Sequence, residues 1–224
     1  MAEGVWAIVV AGGEGRRFGG LKQFAQVGGR LVIEWAVDAA RSAADGVVLV
    51  VPGNYLEEAV RHAWCPVVVA GGPTRAASVR AGLARVPAAA KIVVVHDAAR
   101  PVASADLFAA VVAAVVAGSD AAIPCLPVAD TLKRVRDARV VATVDRTELA
   151  TVQTPQAFRA DVLRRAHCGE PEATDDAALV EAIGGSVAAV PGEPRNWKIT
   201  DAVDLALVDA WFADAAAARG GADA

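Results

Sequence analysis

The stretch Val5-Trp-Ala-Ile-Val-Val-Ala-Gly-Gly-Glu-Gly-Arg-Arg-Phe-Gly-Gly-Leu-Lys22 decides how this chain is read. Its first six residues, Val5–Val10, form a short apolar run closed by a glycine cluster, the pattern of a buried strand. The glycines fall where the strand ends and the backbone must turn. There they permit positive φ and let backbone N–H groups approach a ligand closely. Arg16, Arg17 and Lys22 add three cations to the same loop. A strand feeding a glycine-rich cationic loop opens an α/β unit and reads as a cradle for a polyphosphate. An ordinary βα turn with solvated arginines is the plainer alternative, and the loop alone does not separate the two.

Two glycine motifs fail here. The dinucleotide fingerprint needs a third glycine where this chain has Phe18, and an acidic residue some twenty positions on. Asp38 is at that distance but lies in an amphipathic helical segment. The P-loop needs Gly-Lys followed by Ser or Thr, and the sequence has no such run.

Outward from this loop, Val-rich runs alternate with helical segments, the pattern of a mostly parallel sheet covered on both faces. Strands are expected at 5–10, 47–51, 66–70, 92–96, 121–124 and 187–190. Helices are expected at 31–44, 54–63, 74–85, 104–117, 160–167, 175–183 and 201–217, the last ending in a frayed Ala/Gly tail. Residues 1–224 read as one α/β domain, a size that buries a substantial core.

Polar residues collect where strands end, which is where open α/β sheets bind ligands. After the third strand comes Gly71-Gly72-Pro73-Thr74-Arg75, with Ser78 one turn into a helix. After the fourth comes His96-Asp97-Ala98-Ala99-Arg100-Pro101, and Asn196–Lys198 lies near the end. Four turns on one rim favour a site more than any one of them alone does.

A formal charge of −4 and a pI near 5.4 argue against a nucleic-acid partner. Cys65, Cys125 and Cys168 are odd in number and widely spaced, which suits small buried hydrophobes in a reducing cytoplasm. Mean hydropathy is +0.39, but the longest apolar run, residues 107–117, is short of the roughly 20 residues that span a bilayer. With Glu3 and the glycine loop so near the start, no signal peptide is expected, and the chain reads as cytoplasmic with no membrane partner.

One stretch breaks the rhythm. Residues 128–151 alternate charged and apolar side chains like a hairpin turning near Asp137-Ala138. A charged ribbon of this length buries little by itself, so it is expected to protrude as an arm that grips a second subunit.

Taken in order, these pieces resemble the 2-C-methyl-D-erythritol 4-phosphate cytidylyltransferases of nonmevalonate isoprenoid synthesis. The matching runs are Ala11 to Arg17, Lys22-Gln23-Phe24, Gly71-Gly72 with Arg75 and Ser78, and His96 to Pro101. They continue with Asp130-Thr131-Leu132-Lys133, Val144-Asp145-Arg146, Gln153-Thr154-Pro155-Gln156, Thr174-Asp175-Asp176 and Trp197-Lys198-Ile199-Thr200. The resemblance implies a Rossmann-like nucleotidyltransferase fold, a homodimer, and transfer of a cytidylyl group from CTP to methylerythritol 4-phosphate with Mg²⁺ or another divalent cation. It further implies Arg17, Lys22 and Lys198 as catalytic cations. Ala11, Gly12, Gly13, Gly15, Gly72, Ser78 and Asp97 would bind CTP. Asp97, Arg100, Thr131, Arg146 and Thr154 would bind the acceptor, Thr131 and Arg146 reaching across from the partner. Asp97 is also the candidate protein ligand for a metal carried mainly by the CTP phosphates.

Other readings of single residues stand beside these. Asp97 could cap the following helix or pair with Arg100, and His96 is expected to be a packed strand-end residue. His62 and His167 look incidental. Where many relatives carry an acidic residue after the glycine pair, this chain has Pro73, so base selection would rest on backbone groups. That difference keeps another sugar nucleotidylyltransferase in view. The remaining rivals are a ribitol-5-phosphate cytidylyltransferase, differing in the ribbon, and a non-catalytic nucleotide-binding protein of the same fold.

Overall fold

The computed structural model describes residues 3–13 and 18–220. In chain order the elements are β1 (Val5–Val10), β2 (Gln26–Val27), β3 (Arg30–Leu31), α1 (Val32–Arg41), β4 (Gly46–Val51), α2 (Leu56–Arg61), β5 (Val67–Ala70), α3 (Arg75–Leu83), β6 (Ile92–Asp97) and α4 (Ala105–Val116). Then follow β7 (Ala121–Pro127), β8 (Leu132–Arg136), β9 (Arg139–Val144), β10 (Ala150–Val152), β11 (Gln156–Arg159), α5 (Ala160–Ala166), α6 (Asp176–Ala182), β12 (Val187–Pro191) and α7 (Ala202–Gly220).

The main sheet has the order β10-β7-β11-β6-β1-β4-β5, with β12 also paired to β7. β1 lies between β4 and β6, parallel to both, with Ile8 opposite Val48 and Val95. Both faces of β1 are covered, which is why its sequence is continuously apolar. Val5, Ala7 and Val9 turn to a core built with α1, α2 and α4. Ile8 turns the other way, into a core built with α3, α5 and α6. A third, smaller cluster of Val27, Val32, Ile199 and Val208 fixes α7 against the β2–β3 hairpin.

The sheet is not wholly parallel. β11 runs antiparallel between β6 and β7, and β10 runs antiparallel along β7. Neither strand is expected from the sequence. Gln156-Ala-Phe-Arg159 is four residues long, and only its fit between two neighbours makes it a strand. Phe158 is fully buried there.

The ribbon is a hairpin, β8 with β9, forming a two-stranded sheet of its own. Asp137 and Ala138 turn it with φ of 49° and 58°, the doubly left-handed conformation of a tight hairpin turn. Lys133, Arg134, Arg136 and Arg139 are exposed, and so are Val135, Val140 and Val141. The arm ends short of residue 150, because Ala150–Val152 belongs to the main sheet.

Three smaller expectations are corrected. Cys65 is a buried hydrophobe, but Cys125 is half-buried and Cys168 exposed. The last helix runs on to Gly220 through the Ala/Gly tail rather than fraying near 217. His167 is buried and hydrogen-bonded, not incidental.

Candidate active site

The site lies outside the carboxyl ends of β1, β5 and β6. Ala11 continues β1 by donating its N–H to the Val50 carbonyl at 2.8 Å. Gln23, buried on the short helical turn Lys22–Phe24, then holds the start of the glycine loop from below. Its amide donates to the carbonyls of Ala11 at 2.7 Å and Gly13 at 3.0 Å, which fixes the backbone between them. Gly15, Arg16 and Arg17 lie outside the described residues.

Across the cleft, α3 starts at a Thr74 cap whose hydroxyl accepts from the Ala77 N–H at 3.1 Å. The glycines around it are there for space. A Cβ on Gly72 would stand 2.5 Å from the Ala77 Cβ, and one on Gly71 would meet the Ser78 Oγ at 2.8 Å. Further along the helix, Gly82 lets α3 lie against β1 and β4, since a Cβ there would meet Ile8 at 2.6 Å. Ser78 Oγ donates to the Thr74 carbonyl at 3.0 Å and accepts from the Gly72 N–H at 3.2 Å, which fixes the turn.

Asp97 ends β6 and is the electrostatic centre. Its two carboxylate oxygens are divided between cations: Arg75 Nε at 3.1 Å on Oδ1, and Lys198 Nζ at 2.6 Å on Oδ2. Burial pushes the carboxyl up, but Arg75 and Lys198 outweigh it and hold Asp97 far below the usual carboxylate range. Among the described residues, the Asp97 carboxylate caps no helix and accepts no hydrogen bond from the Arg100 side chain; Arg100 acts on it through charge, and its backbone N–H donates to the Asp97 carbonyl at 3.0 Å. Ser104 caps α4 instead, and it also donates its hydroxyl to Glu193. Lys22 Nζ donates to the Ile199 carbonyl at 2.6 Å, so Lys22 and Lys198 meet on one short segment. That segment is pinned by the buried Ile199, whose N–H donates to the Ala99 carbonyl at 2.8 Å.

His96 and Thr154 set the backbone beneath Asp97. The Asp97 N–H donates to Thr154 Oγ1 at 3.0 Å, and that hydroxyl faces His96 Nδ1 at 3.3 Å. His96 Nε2 faces the Arg100 carbonyl at 3.1 Å, an acceptor, so Nε2 carries the proton and Nδ1 accepts. A neutral imidazole satisfies both partners, and burial lowers His96 to about 4.

Two cavities meet here. The larger, about 500 Å³, is lined by Ala11, Gly12, Gly13, Lys22, Gly72, Ser78, Asp97 and Lys198, together with Arg75. The smaller, about 280 Å³, is lined by Arg100, Thr154, Gln156 and Asp175, again with Arg75, Asp97 and Lys198. Arg75, Asp97 and Lys198 thus form the wall between them. Arg100 is nearly buried, donating to the carbonyls of Asn196 at 2.7 Å and Val152 at 3.4 Å. Burial lowers its guanidinium, and Asp97 partly offsets this. Thr131 and Arg146 line neither cavity; both are exposed on the arm, Arg146 donating to the Val128 carbonyl at 3.1 Å.

Arg75 is the site residue that sequence reasoning passes over. In the sequence it is only part of a motif, yet in the fold it touches Asp97 and, at 2.7 Å, Asp176. Burial opposes its charge, but the two carboxylates outweigh it and raise the guanidinium above the ordinary arginine value. Its position in the first turn of α3, after the glycine pair, was the available signal. Its second partner is 101 residues away and gave none.

Among the described residues, no three His, Cys, Asp or Glu side chains group to hold a metal ion. Asp97, the carboxylate among the described residues lining the larger cavity, fits a different arrangement. Magnesium commonly takes one or two protein carboxylates and completes its shell with substrate phosphates and water.

The profile of the family described as "IspD: 2-C-methyl-D-erythritol 4-phosphate cytidylyltransferase" matches residues 5–214. The chain is 46% identical over 222 residues to a "Bifunctional enzyme IspD/IspF" of Solidesulfovibrio magneticus, covering 90% of this chain but only 56% of that longer protein. It is 44% identical to the 2-C-methyl-D-erythritol 4-phosphate cytidylyltransferase of Nocardia farcinica, with 92% of each chain covered. The crystal structure of the Thermus thermophilus enzyme of that name superposes with a TM-score of 0.79 at 38% identity, covering 91% of this chain and 96% of that one. With these likenesses spanning sequence and fold, the chain belongs to the 2-C-methyl-D-erythritol 4-phosphate cytidylyltransferase family.

Proposed function

We propose that this protein transfers the cytidylyl group of CTP to 2-C-methyl-D-erythritol 4-phosphate, releasing pyrophosphate, in a site divided by the Arg75, Asp97 and Lys198 wall. One observation carries the assignment of substrates to places. The residues expected to bind CTP, from Ala11 to Gly13 with Gly72 and Ser78, line the larger cavity, and Arg100 and Thr154, expected at the acceptor, line the smaller. Asp97 and Lys198 face both, at the border where the two substrates would meet.

The chemistry asks little of a base. The acceptor's phosphate oxygen is already an anion, so it attacks the α-phosphorus directly. The P–O bond to the leaving pyrophosphate breaks on the opposite side. Negative charge grows on the α-phosphate and on the departing group, and preorganised cations stabilise it. Lys22 and Lys198 supply that charge from one pinned segment, and Arg17 supplies more from the glycine loop. Asp97 orients Lys198, and Arg75 keeps Asp97 ionised. Pro73 lines the cavity beside Gly72, so the base is read by backbone groups there. A bound Mg²⁺ held by Asp97 and the CTP phosphates would neutralise part of the triphosphate charge.

The active form is a homodimer in which Thr131 and Arg146 of each arm complete the partner's acceptor site. The 1–224 chain is one nucleotidyltransferase domain carrying the 128–151 ribbon, and it works in the cytoplasm. Free cysteines support that compartment. Among the described residues, no helix is long and apolar enough to cross a membrane.

The test is pyrophosphate release from CTP, UTP, ATP and GTP, each with methylerythritol 4-phosphate or ribitol 5-phosphate, with and without Mg²⁺. Turnover is expected only with CTP, methylerythritol 4-phosphate and Mg²⁺ together. Turnover with ribitol 5-phosphate would move the chain to the sister activity, and silence throughout would make it a binding protein.

A further inference from the structure

Behind Arg75 the structure holds a second rank of buried polar groups. Asp176 caps no helix with its side chain; it sits in the first turn of α6, its carboxylate 1% exposed. Oδ2 accepts from Arg75 Nη1 at 2.7 Å, and Oδ1 faces His167 Nε2 at 3.0 Å. His167 is itself buried, at the end of α5. A continuous line therefore runs His167, Asp176, Arg75, Asp97, Lys198, each link at hydrogen-bond distance. Among the described residues, Arg75 Nη2 is buried and has no hydrogen-bond partner.

That unpartnered donor makes the line responsive. With His167 donating to Oδ1, Asp176 needs one N–H from Arg75, and Arg75 Nε is free to face Asp97. Without the His167 donor, Oδ1 is a buried acceptor lacking a partner, a costly state. The nearest remedy is for Arg75 to present Nη1 and Nη2 together to Asp176, one of the two-bond forks that guanidinium and carboxylate form. Nε then leaves Asp97. Asp97 is left to Lys198 alone, and the ammonium is drawn away from the charge that develops on the phosphates.

We propose that His167 and Asp176 are positioning residues for the reaction, dividing Arg75 between two carboxylates so that Lys198 stays available to the substrates. The proposal rests on the cytidylyltransferase reading above. It does not concern the CTP or acceptor contacts themselves.

The experiment compares His167→Leu, His167→Asn and His167→Gln with the wild type. Gln can place an amide N–H near the position of Nε2, whereas Asn is too short and Leu has no donor. The expected result is a kcat about 3- to 30-fold lower in His167→Leu and His167→Asn, the range that residues remote from the ligands impose. KM for both substrates should stay within about twofold, and His167→Gln should recover most of the loss. Crystal structures of His167→Asn and the wild type should show Arg75 turned end-on to Asp176 in the variant alone, with Nε out of reach of Asp97. A lower Tm with kcat unchanged in all three variants, or Arg75 still on Asp97 in His167→Asn, would overturn the proposal. If the wild type turns over no substrate, the functional reading fails, and the Arg75 geometry alone decides this one.

Discussion

At the level of single residues, the site is organised by a carboxylate that is kept charged and a histidine that is kept neutral. Both follow from burial and from what stands beside them. Asp97 has two cations and stays ionised; His96 has one acceptor and one hydroxyl, and protonation would force Nδ1 to donate where it now accepts. The pH consequence has a definite sign. The His96 pKa is lower in the folded protein than the value of about 6.5 in the unfolded chain. Between about pH 6.5 and 4 the unfolded chain binds the proton first, so stability falls as pH drops through that window and is fully present above it. Asp97 acts at lower pH: its depressed pKa contributes stability above the unfolded carboxylate value, lost as pH falls through the folded one. Urea denaturation at pH 7 and pH 5 should show a loss in the wild type that is smaller in His96→Gln. Equal losses in the two proteins would place the titration elsewhere.

At the level of elements, the alternation of Val-rich runs and helices was legible because each strand is buried on both faces. Six strands and seven helices fall within a few residues of where periodicity places them. β10 and β11 were not legible. Both are short, and both are strands because β6 and β7 offer open edges after the arm turns back. This changes how the arm is tested. Removing 128–151 would take Ala150 and Thr151 out of the main sheet, whereas replacing residues 131–145 with a short Gly-Ser linker spares β7 and β10. The linker variant is expected to be a folded monomer by sedimentation, with kcat/KM for the acceptor reduced at least about 10²-fold as Thr131 is lost and Arg146 displaced. A dimer of unchanged affinity would show that another surface joins the subunits.

At the level of the whole molecule, each site is expected to borrow its acceptor contacts from the other subunit. Within one chain Arg146 stands on the exposed arm, and Lys198 on the wall between the cavities. Two variants inactive by themselves, Arg146→Ala and Lys198→Ala, should then complement each other. A twofold dimer places an intact Lys198 and a partner's intact Arg146 in one of its two sites. Random mixing should restore about a quarter of wild-type turnover. No recovery, with heterodimers demonstrated by tagged subunits, would put both residues in one subunit's site.

By itself the sequence determined what depends on local pattern. The apolar run Val5–Val10, the glycines that follow it and the turns holding Asp97 and Lys198 specify a sheet with its chemistry on one rim. The Asp137-Ala138 turn specifies a hairpin. Tertiary structure decided what depends on partners far apart in the chain. Arg75 is a surface-like arginine in the sequence and a half-buried bridge in the fold, because β6 brings Asp97 to it and α6 brings Asp176. His167 changed from incidental to structural for the same reason. A charge can be buried only where opposite charge is delivered to it, and only the folded sheet determines which residues those are.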